Sequence, residues 1–104
     1  MKINVLKVCA DGTLEKLWIQ PSVLDIRLEL SAPIDNINLF TDVQSFICRQ
    51  PNQLSENILL PGVYGDVIFT GGRGSYLAGL SLEQMSRLSK LFRGEKKKLG
   101  KTRL

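Results

Sequence analysis

The chain has 104 residues, 43% of them hydrophobic, which suits one small domain with a single modest core. It contains no run of about 18 apolar residues and no apolar segment of the secretory type, so we expect no membrane span and a cytoplasmic location. Histidine is absent and the cysteines are only Cys9 and Cys48. We therefore expect no enzyme with a histidine base, no bound metal or cofactor and no disulfide framework.

Charge is distributed unevenly along the chain. Residues 1–86 hold six Lys or Arg against nine Asp or Glu, a net charge of −3. Residues 87–104 hold eight Lys or Arg against Glu95 alone, a net charge of +7. Such asymmetry indicates a polyanionic partner, which could be nucleic acid, an anionic membrane or an acidic protein surface.

Residues 2–30 predict a meander of three antiparallel strands. The segments "KINVLKV" and "LEKLWIQ" are rich in β-branched and large apolar residues, and the pair Asp11-Gly12 between them suits a tight hairpin turn. Residues 23–30, "VLDIRLEL", alternate between apolar and charged side chains. This period of two predicts a half-buried third strand.

The segment "TDVQSFICRQP", residues 41–51, has two interpretations. Thr41 and Gln44 have the spacing of a helix capping box, which favours a short helix. The same residues also have fair β-propensity, so a strand remains open. Residues 51–62 are bounded by Pro-Asn and Pro-Gly and predict a connecting loop.

The segments "VYGDVIF" and "SYLAGL" flank "TGGRG", a pattern that predicts two antiparallel strands joined by a glycine-rich turn. The stretch "GGRG", residues 71–74, suits a flexible hairpin tip. It could equally bring backbone N–H groups and the guanidinium of Arg73 to a phosphate.

An amphipathic helix is predicted after this hairpin, with Ser81 as N-cap, Gln84 at the third helical position and an end at Gly94. One side of this helix is apolar and consists of Leu82, Met85, Leu88, Leu91 and Phe92. The other side is basic and consists of Arg87, Lys90 and Arg93. Residues 95–104 have little apolar surface and predict a basic tail that is mobile when free.

These elements predict an α+β fold: a small antiparallel β-sheet or an OB-like barrel of about five strands, with a C-terminal amphipathic helix and a basic tail. Residues 1–94 form the single globular domain in this interpretation, and residues 95–104 form the tail.

The leading functional hypothesis is a non-enzymatic accessory protein that binds nucleic acid, with single-stranded DNA or RNA as candidate ligands. The residues expected to contact phosphates are Arg73, Arg87, Lys90, Arg93, Lys96, Lys97, Lys98, Lys101 and Arg103. Exposed aromatic rings could stack on bases, and Tyr64 and Tyr76 are the candidates.

A second hypothesis is a protein-interaction module, such as an assembly factor or an inhibitor, that docks through Leu88, Leu91 and Phe92. A third hypothesis is that the same basic amphipathic segment binds an anionic membrane surface. The sequence also leaves open a homo-oligomer and a basic tail that serves only solubility. If the apolar side of the helix packs on the sheet, only its basic side remains available to a partner.

Overall fold

The fold is an α+β arrangement of one six-stranded antiparallel sheet and two helices, seen in a computed structural model that describes residues 1–31, 33–49 and 54–102, with the backbone alone from residue 94. The elements in chain order are β1 (Ile3–Val8), β2 (Leu14–Ile19), α1 (Val23–Leu30), β3 (Ile34–Ile37), β4 (Gln44–Cys48), β5 (Val67–Arg73), β6 (Tyr76–Ala78) and α2 (Leu82–Thr102). The predicted α+β class, antiparallel sheet and C-terminal helix are confirmed.

The sheet has the strand order β2-β1-β5-β4-β3, and β6 pairs with the second half of β5. Its two outer strands, β2 and β3, are separated by three others and do not pair with each other. The sheet is therefore open, and the OB-like barrel is not confirmed, because a barrel requires its first and last strands to join.

The first predicted hairpin is confirmed. The strands β1 and β2 pair from Ile3 opposite Ile19 to Val8 opposite Leu14. The turn between them contains Gly12, whose φ of 91° is the conformation that glycine adopts at low cost. This hairpin places β2 at one edge of the sheet.

The prediction of a third strand at residues 23–30 is wrong, because these residues form α1. Ser22 caps the helix: its hydroxyl oxygen accepts a hydrogen bond from the backbone N–H of Asp25, at 3.1 Å. Ser31 ends the helix in the left-handed conformation, with a φ of 54°. The spacing of Ser22 and Asp25, which is typical of a helix N-terminus, therefore indicated a helix, although the alternation of apolar and charged residues favoured a strand.

The apolar pattern of α1 fits both kinds of secondary structure. Ile26 and Leu30 are four residues apart, so they share one side of a helix as well as one face of a strand. Both are buried against the sheet, whereas Leu24 and Leu28 are 60% and 68% exposed. A segment of only eight residues cannot distinguish the two periods.

The helix favoured at residues 41–51 is also wrong, because Gln44–Cys48 form β4 in the interior of the sheet. The Gln44 side chain does not cap a helix; its Nε2 donates hydrogen bonds to the carbonyl oxygens of Gly71 and Tyr76, both at 3.2 Å. Pairing with β3 on one side and β5 on the other stabilises the strand. Local sequence does not contain these long-range contacts.

The second predicted hairpin is confirmed as β5 and β6. Gly72 has a φ of +86°, and a Cβ added there would collide with the carbonyl oxygen of Tyr76. Tyr64 was predicted to lie in this hairpin, but it precedes β5 and forms an isolated bridge with Glu56. Within the predicted loop at 51–62, residues 51–53 lie outside the described residues.

The two faces of the sheet are both covered. The face that packs on α1 buries Ile3, Val5, Ile19, Ile26, Leu30, Ile34, Phe46, Cys48, Ile68 and Leu77. The face that packs on α2 buries Leu6, Val8, Val43, Val63, Val67, Phe69, Leu80, Met85, Leu88 and Phe92. The ring of Phe92 lies 5.9 Å from that of Phe69, centroid to centroid, and this contact holds α2 on the sheet.

The predicted start of α2 is confirmed, but its predicted end at Gly94 is wrong. Ser81 donates its backbone N–H to the Gln84 side chain at 2.9 Å, and Gln84 donates its N–H to the Ser81 hydroxyl at 3.0 Å. The helix continues through Gly94 and Gly100 to Thr102, since each glycine costs only about 1 kcal/mol in a helix interior. A separate basic tail is therefore not confirmed. Within the described residues, neither helix is long and apolar enough to cross a membrane.

Candidate functional site

The basic residues Arg87, Lys90 and Arg93 of α2 have different neighbours in the structure. They follow one another at intervals of three, so Lys90 lies between the other two around the helix, with Gln84 beside Arg87 and Ser86 and Ser89 toward Arg93. The structure therefore directs the charges of this helix to two different places.

Arg87 is directed toward the loop before β4. Its guanidinium forms an ion pair with the carboxylate of Asp42, and the side chains of both residues are about half exposed. The neighbouring Gln84 donates from Nε2 to the backbone carbonyl of Asp42 at 2.8 Å. Arg87 therefore joins this loop to α2, and its charge is already partnered.

Lys90 and Arg93 line the part of α2 that passes the edge strand β2. A groove of about 340 Å³ lies between the two elements. We call it the helix–strand groove, and it is lined by Lys16, Leu82, Met85, Ser86, Ser89, Lys90 and Arg93. Two predicted site residues are therefore brought together with Lys16 from a distant part of the chain.

Lys16 was not among the residues predicted from the sequence. Its strand alternates, so Leu14, Lys16 and Trp18 point to one face and Glu15 to the other. In the β1–β2 register Lys16 lies opposite Leu6, which belongs to the core under α2. The alternation of β2 could have placed Lys16 on this face, but only the packing of α2 brings it to Lys90 and Arg93.

The helix–strand groove is cationic. Its lining includes three positive side chains and two hydroxyl groups, and no carboxylate among the residues described. Lys16, Lys90 and Arg93 are exposed, and none of them forms an ion pair with another described side chain. Because no ion pair with a described side chain has to be broken, these cations from two elements can bind an anion directly.

Ser89 adds a polar group to the wall of the groove. The residue is 9% exposed, and its hydroxyl has no hydrogen-bond partner within the described part of the chain. A buried polar group without a partner is uncommon in folded proteins and costs free energy. A rotation of this side chain toward the groove would let the hydroxyl donate a hydrogen bond to a ligand.

Arg73 lies in a different place, beside a polar cleft between β4 and the β5–β6 turn. This cleft, of about 600 Å³, is lined by Asn36, Asn38, Thr41, Asp42, Val43, Gln44, Gly72, Arg73 and Gly74. It is larger than the helix–strand groove, but it contains one cation and one carboxylate. The structure does not bring Arg73 to Lys90 and Arg93, and the lining of the helix–strand groove carries the larger net positive charge.

The exposed aromatic residues are also separated. Tyr76 is 70% exposed and lies directly opposite Arg73 in the β5–β6 hairpin, whereas Tyr64 is 43% exposed and lies before the other end of β5. Trp18 is 65% exposed on β2 and was not among the candidates predicted from the sequence. Its position two residues after Lys16 is the signal that was missed.

The remaining predicted phosphate contacts stay predictions. Lys96, Lys97, Lys98 and Lys101 lie in the last turns of α2, where only the backbone is described, and Arg103 lies outside the described residues. Comparison of the chain with protein-family models, curated proteins and solved structures finds no match.

Proposed function

We propose that this protein is a non-enzymatic nucleic-acid-binding protein that contacts the phosphate backbone through the helix–strand groove. The observation that carries the proposal is the convergence of Lys16 from β2 with Lys90 and Arg93 from α2 on one groove. The sequence after Arg93 adds five Lys or Arg residues against one Glu, so the positive charge of the chain is concentrated in this region of the sequence.

A polyanion is the ligand that fits this arrangement. Each phosphate neutralised by Lys or Arg releases condensed counterions, so a row of cations gains affinity without reading base sequence. Three cations from two packed elements line one groove, an arrangement that solubilising charge does not require. The groove therefore favours an extended chain of phosphates over a single small anion.

The packing of α2 weakens the alternative of a docking helix. Leu88 and Phe92, two of the three residues expected to contact a protein partner, are both 3% exposed because they pack in the core. Only Leu91 is partly free, at 41% exposure. The side of α2 that remains available is the basic one, which supports nucleic acid as the partner.

The proposal is tested by binding to labelled single-stranded DNA, duplex DNA, RNA and anionic vesicles at two salt concentrations. We expect nucleic acid to bind and affinity to fall steeply with salt. The variant Lys90→Ala/Arg93→Ala should bind nucleic acid at least about tenfold more weakly at low salt and show a salt slope shallower by about 1.5.

A matched control is Lys2→Ala/Arg27→Ala, which removes the same two charges from exposed positions outside the groove. We expect this control to keep nearly all of the affinity. Equal losses in the two variants would show that net charge alone drives binding and would overturn the groove as the site. No nucleic-acid binding even at low salt, whether or not vesicles bind, would overturn the proposed function.

A further inference from the structure

Trp18 is a large aromatic side chain on the edge strand β2, and it is 65% exposed. Alternate residues of a strand share a face and are spaced by about 7 Å, so Trp18 lies beside Lys16 on the face that α2 covers. An exposed indole next to a cation is the pairing that stacks a base while its phosphate is neutralised.

The position of Trp18 relative to α2 follows from Asn4. Trp18 lies opposite Asn4 in the β1–β2 register. Asn4 exchanges two hydrogen bonds with Leu80, both at 2.9 Å, one through its side-chain amide and one through its backbone carbonyl. Because α2 begins at Leu82, Trp18 lies at the end of the groove where this helix starts.

The opposite end of the groove is marked by Arg93. This residue also lines a smaller depression, of about 230 Å³, together with Gly12 and Thr13 from the β1–β2 turn and Leu14, the first residue of β2. The helix α2 therefore runs antiparallel to β2. A ligand that follows the groove would meet Trp18 first, then Lys16, and finally Arg93.

We propose that the ligand of this groove is an unpaired nucleic-acid strand, with one base stacked on Trp18 and the following phosphates on Lys16, Lys90 and Arg93. This inference rests on the proposed function and adds the strandedness of the ligand. In a duplex the bases are paired and stacked on one another, so their faces are not available to an indole on a protein surface. An unpaired strand offers both a free base and its phosphate.

Trp18 is the single tryptophan of the chain, so its fluorescence reports on this site alone. The experiment titrates the full chain with oligothymidine and with a DNA duplex of the same length. Fluorescence intensity and the anisotropy of labelled DNA are recorded together. We expect oligothymidine to quench Trp18 with the same midpoint as the anisotropy change, and the duplex to bind more weakly without quenching.

Two substitutions complete the test. Trp18→Ala should lower affinity for oligothymidine about 5- to 150-fold and leave the salt slope unchanged, because stacking releases no counterions. Trp18→Phe should recover part of that loss. The matched control Leu28→Ala, at a similarly exposed position on α1, should bind like the parent chain.

The failures of the two proposals differ. Binding of oligothymidine without quenching, or unchanged affinity in Trp18→Ala, would overturn the stacking inference and leave the proposed function standing. No anisotropy change with any nucleic acid would overturn both.

Discussion

Arg87 and Asp42 form an ion pair between α2 and the loop before β4, across 45 residues of sequence. The Asp42 carbonyl also accepts a hydrogen bond from Gln84, one turn earlier on the helix. These contacts separate Arg87 from Lys90 and Arg93, which lie on the side of α2 that faces β2. Arg87 therefore has different neighbours from Lys90 and Arg93, although the three follow one another at intervals of three residues along α2.

Arg87→Ala should lower nucleic-acid affinity less than Arg93→Ala does, because Arg87 is already paired and lies outside the groove. The two variants remove the same side chain from the same helix, so each is the control for the other. The cost of Arg87→Ala in the free energy of unfolding should stay within about 1 kcal/mol, since the ion pair is largely exposed. A larger affinity loss for Arg87→Ala would place the ligand on the loop side of α2.

Leu88→Ala should destabilise the protein by about 2 to 5 kcal/mol, because Leu88 is buried between α2 and the sheet. Leu82→Ala is the matched control: the same substitution at an 89% exposed position should cost less than about 0.5 kcal/mol. Urea denaturation gives both values. Similar small costs at the two positions would mean that the apolar side of α2 is not held on the sheet.

Ser89→Ala should leave the stability of the free protein unchanged or raise it, because it removes a buried hydroxyl that has no partner among the described residues. The same change should weaken oligothymidine binding roughly fivefold, because it removes one hydrogen bond to the ligand and such a bond contributes about 1 kcal/mol. A thermal melt and a binding isotherm measure the two effects. Ser86→Ala, at an exposed position in the same groove, is the control for stability and should also leave the melting temperature unchanged. Stability loss in Ser89→Ala with unchanged affinity would give Ser89 a structural role only.

Removal of residues 95–104 should weaken binding at least about tenfold at low salt, because it deletes five cations and one carboxylate. For the full chain, about five or six phosphate contacts on a single strand predict a slope of log affinity against log salt of about −4. Truncation should make this slope shallower by about 2 to 3.

A full-length control separates charge from the loss of helix. In it Glu95, Lys96, Lys97, Lys98, Lys101 and Arg103 are replaced by Gln, which has a similar helix propensity to Glu, Lys and Arg. This variant should match the truncated chain in affinity and in salt slope. Parent-like binding by both variants would give the basic end a purely solubilising role.

The Cys9 thiol should react slowly with iodoacetamide. Its partial burial, its hydrogen bond to Glu15 at 3.4 Å and the nearby carboxylate of Asp66 raise its pKa from 9.0 to about 11. At pH 9 the folded protein should hold well under a tenth of the thiolate of an ordinary cysteine. Glu15→Gln should lower this pKa and speed the alkylation of Cys9, measured by mass spectrometry, whereas Glu83→Gln should have no effect.

The same shift gives a pH dependence of stability. Because the pKa of Cys9 is higher in the folded chain than in the unfolded one, its contribution to stability is fully present below pH 9. It is lost as the pH rises from 9 to about 11. The free energy of unfolding, measured by urea denaturation, should therefore decline over this pH range, and it should decline less in Cys9→Ala. An identical decline in both chains would contradict the raised pKa of Cys9.

Three local patterns allowed correct prediction from the sequence alone. The turn at Asp11-Gly12, the hairpin around Gly72 and the capping box of Ser81 with Gln84 are each specified by residues that lie close together in the chain. Their physical causes, positive φ and reciprocal capping, need no distant partner. The excess of positive charge after residue 86 is likewise a property of the sequence itself.

Tertiary packing decided the rest. The apolar pattern of residues 23–30 fits both a helix and a strand. In the structure these residues form a helix that packs Ile26 and Leu30 against the sheet. Residues 44–48 form a strand because β3 and β5 pair with both of its edges. The groove exists only because α2 lies along β2 and brings Lys16 to Lys90 and Arg93, more than 70 residues later. Such contacts depend on how elements pack, and no local pattern of residue types encodes them.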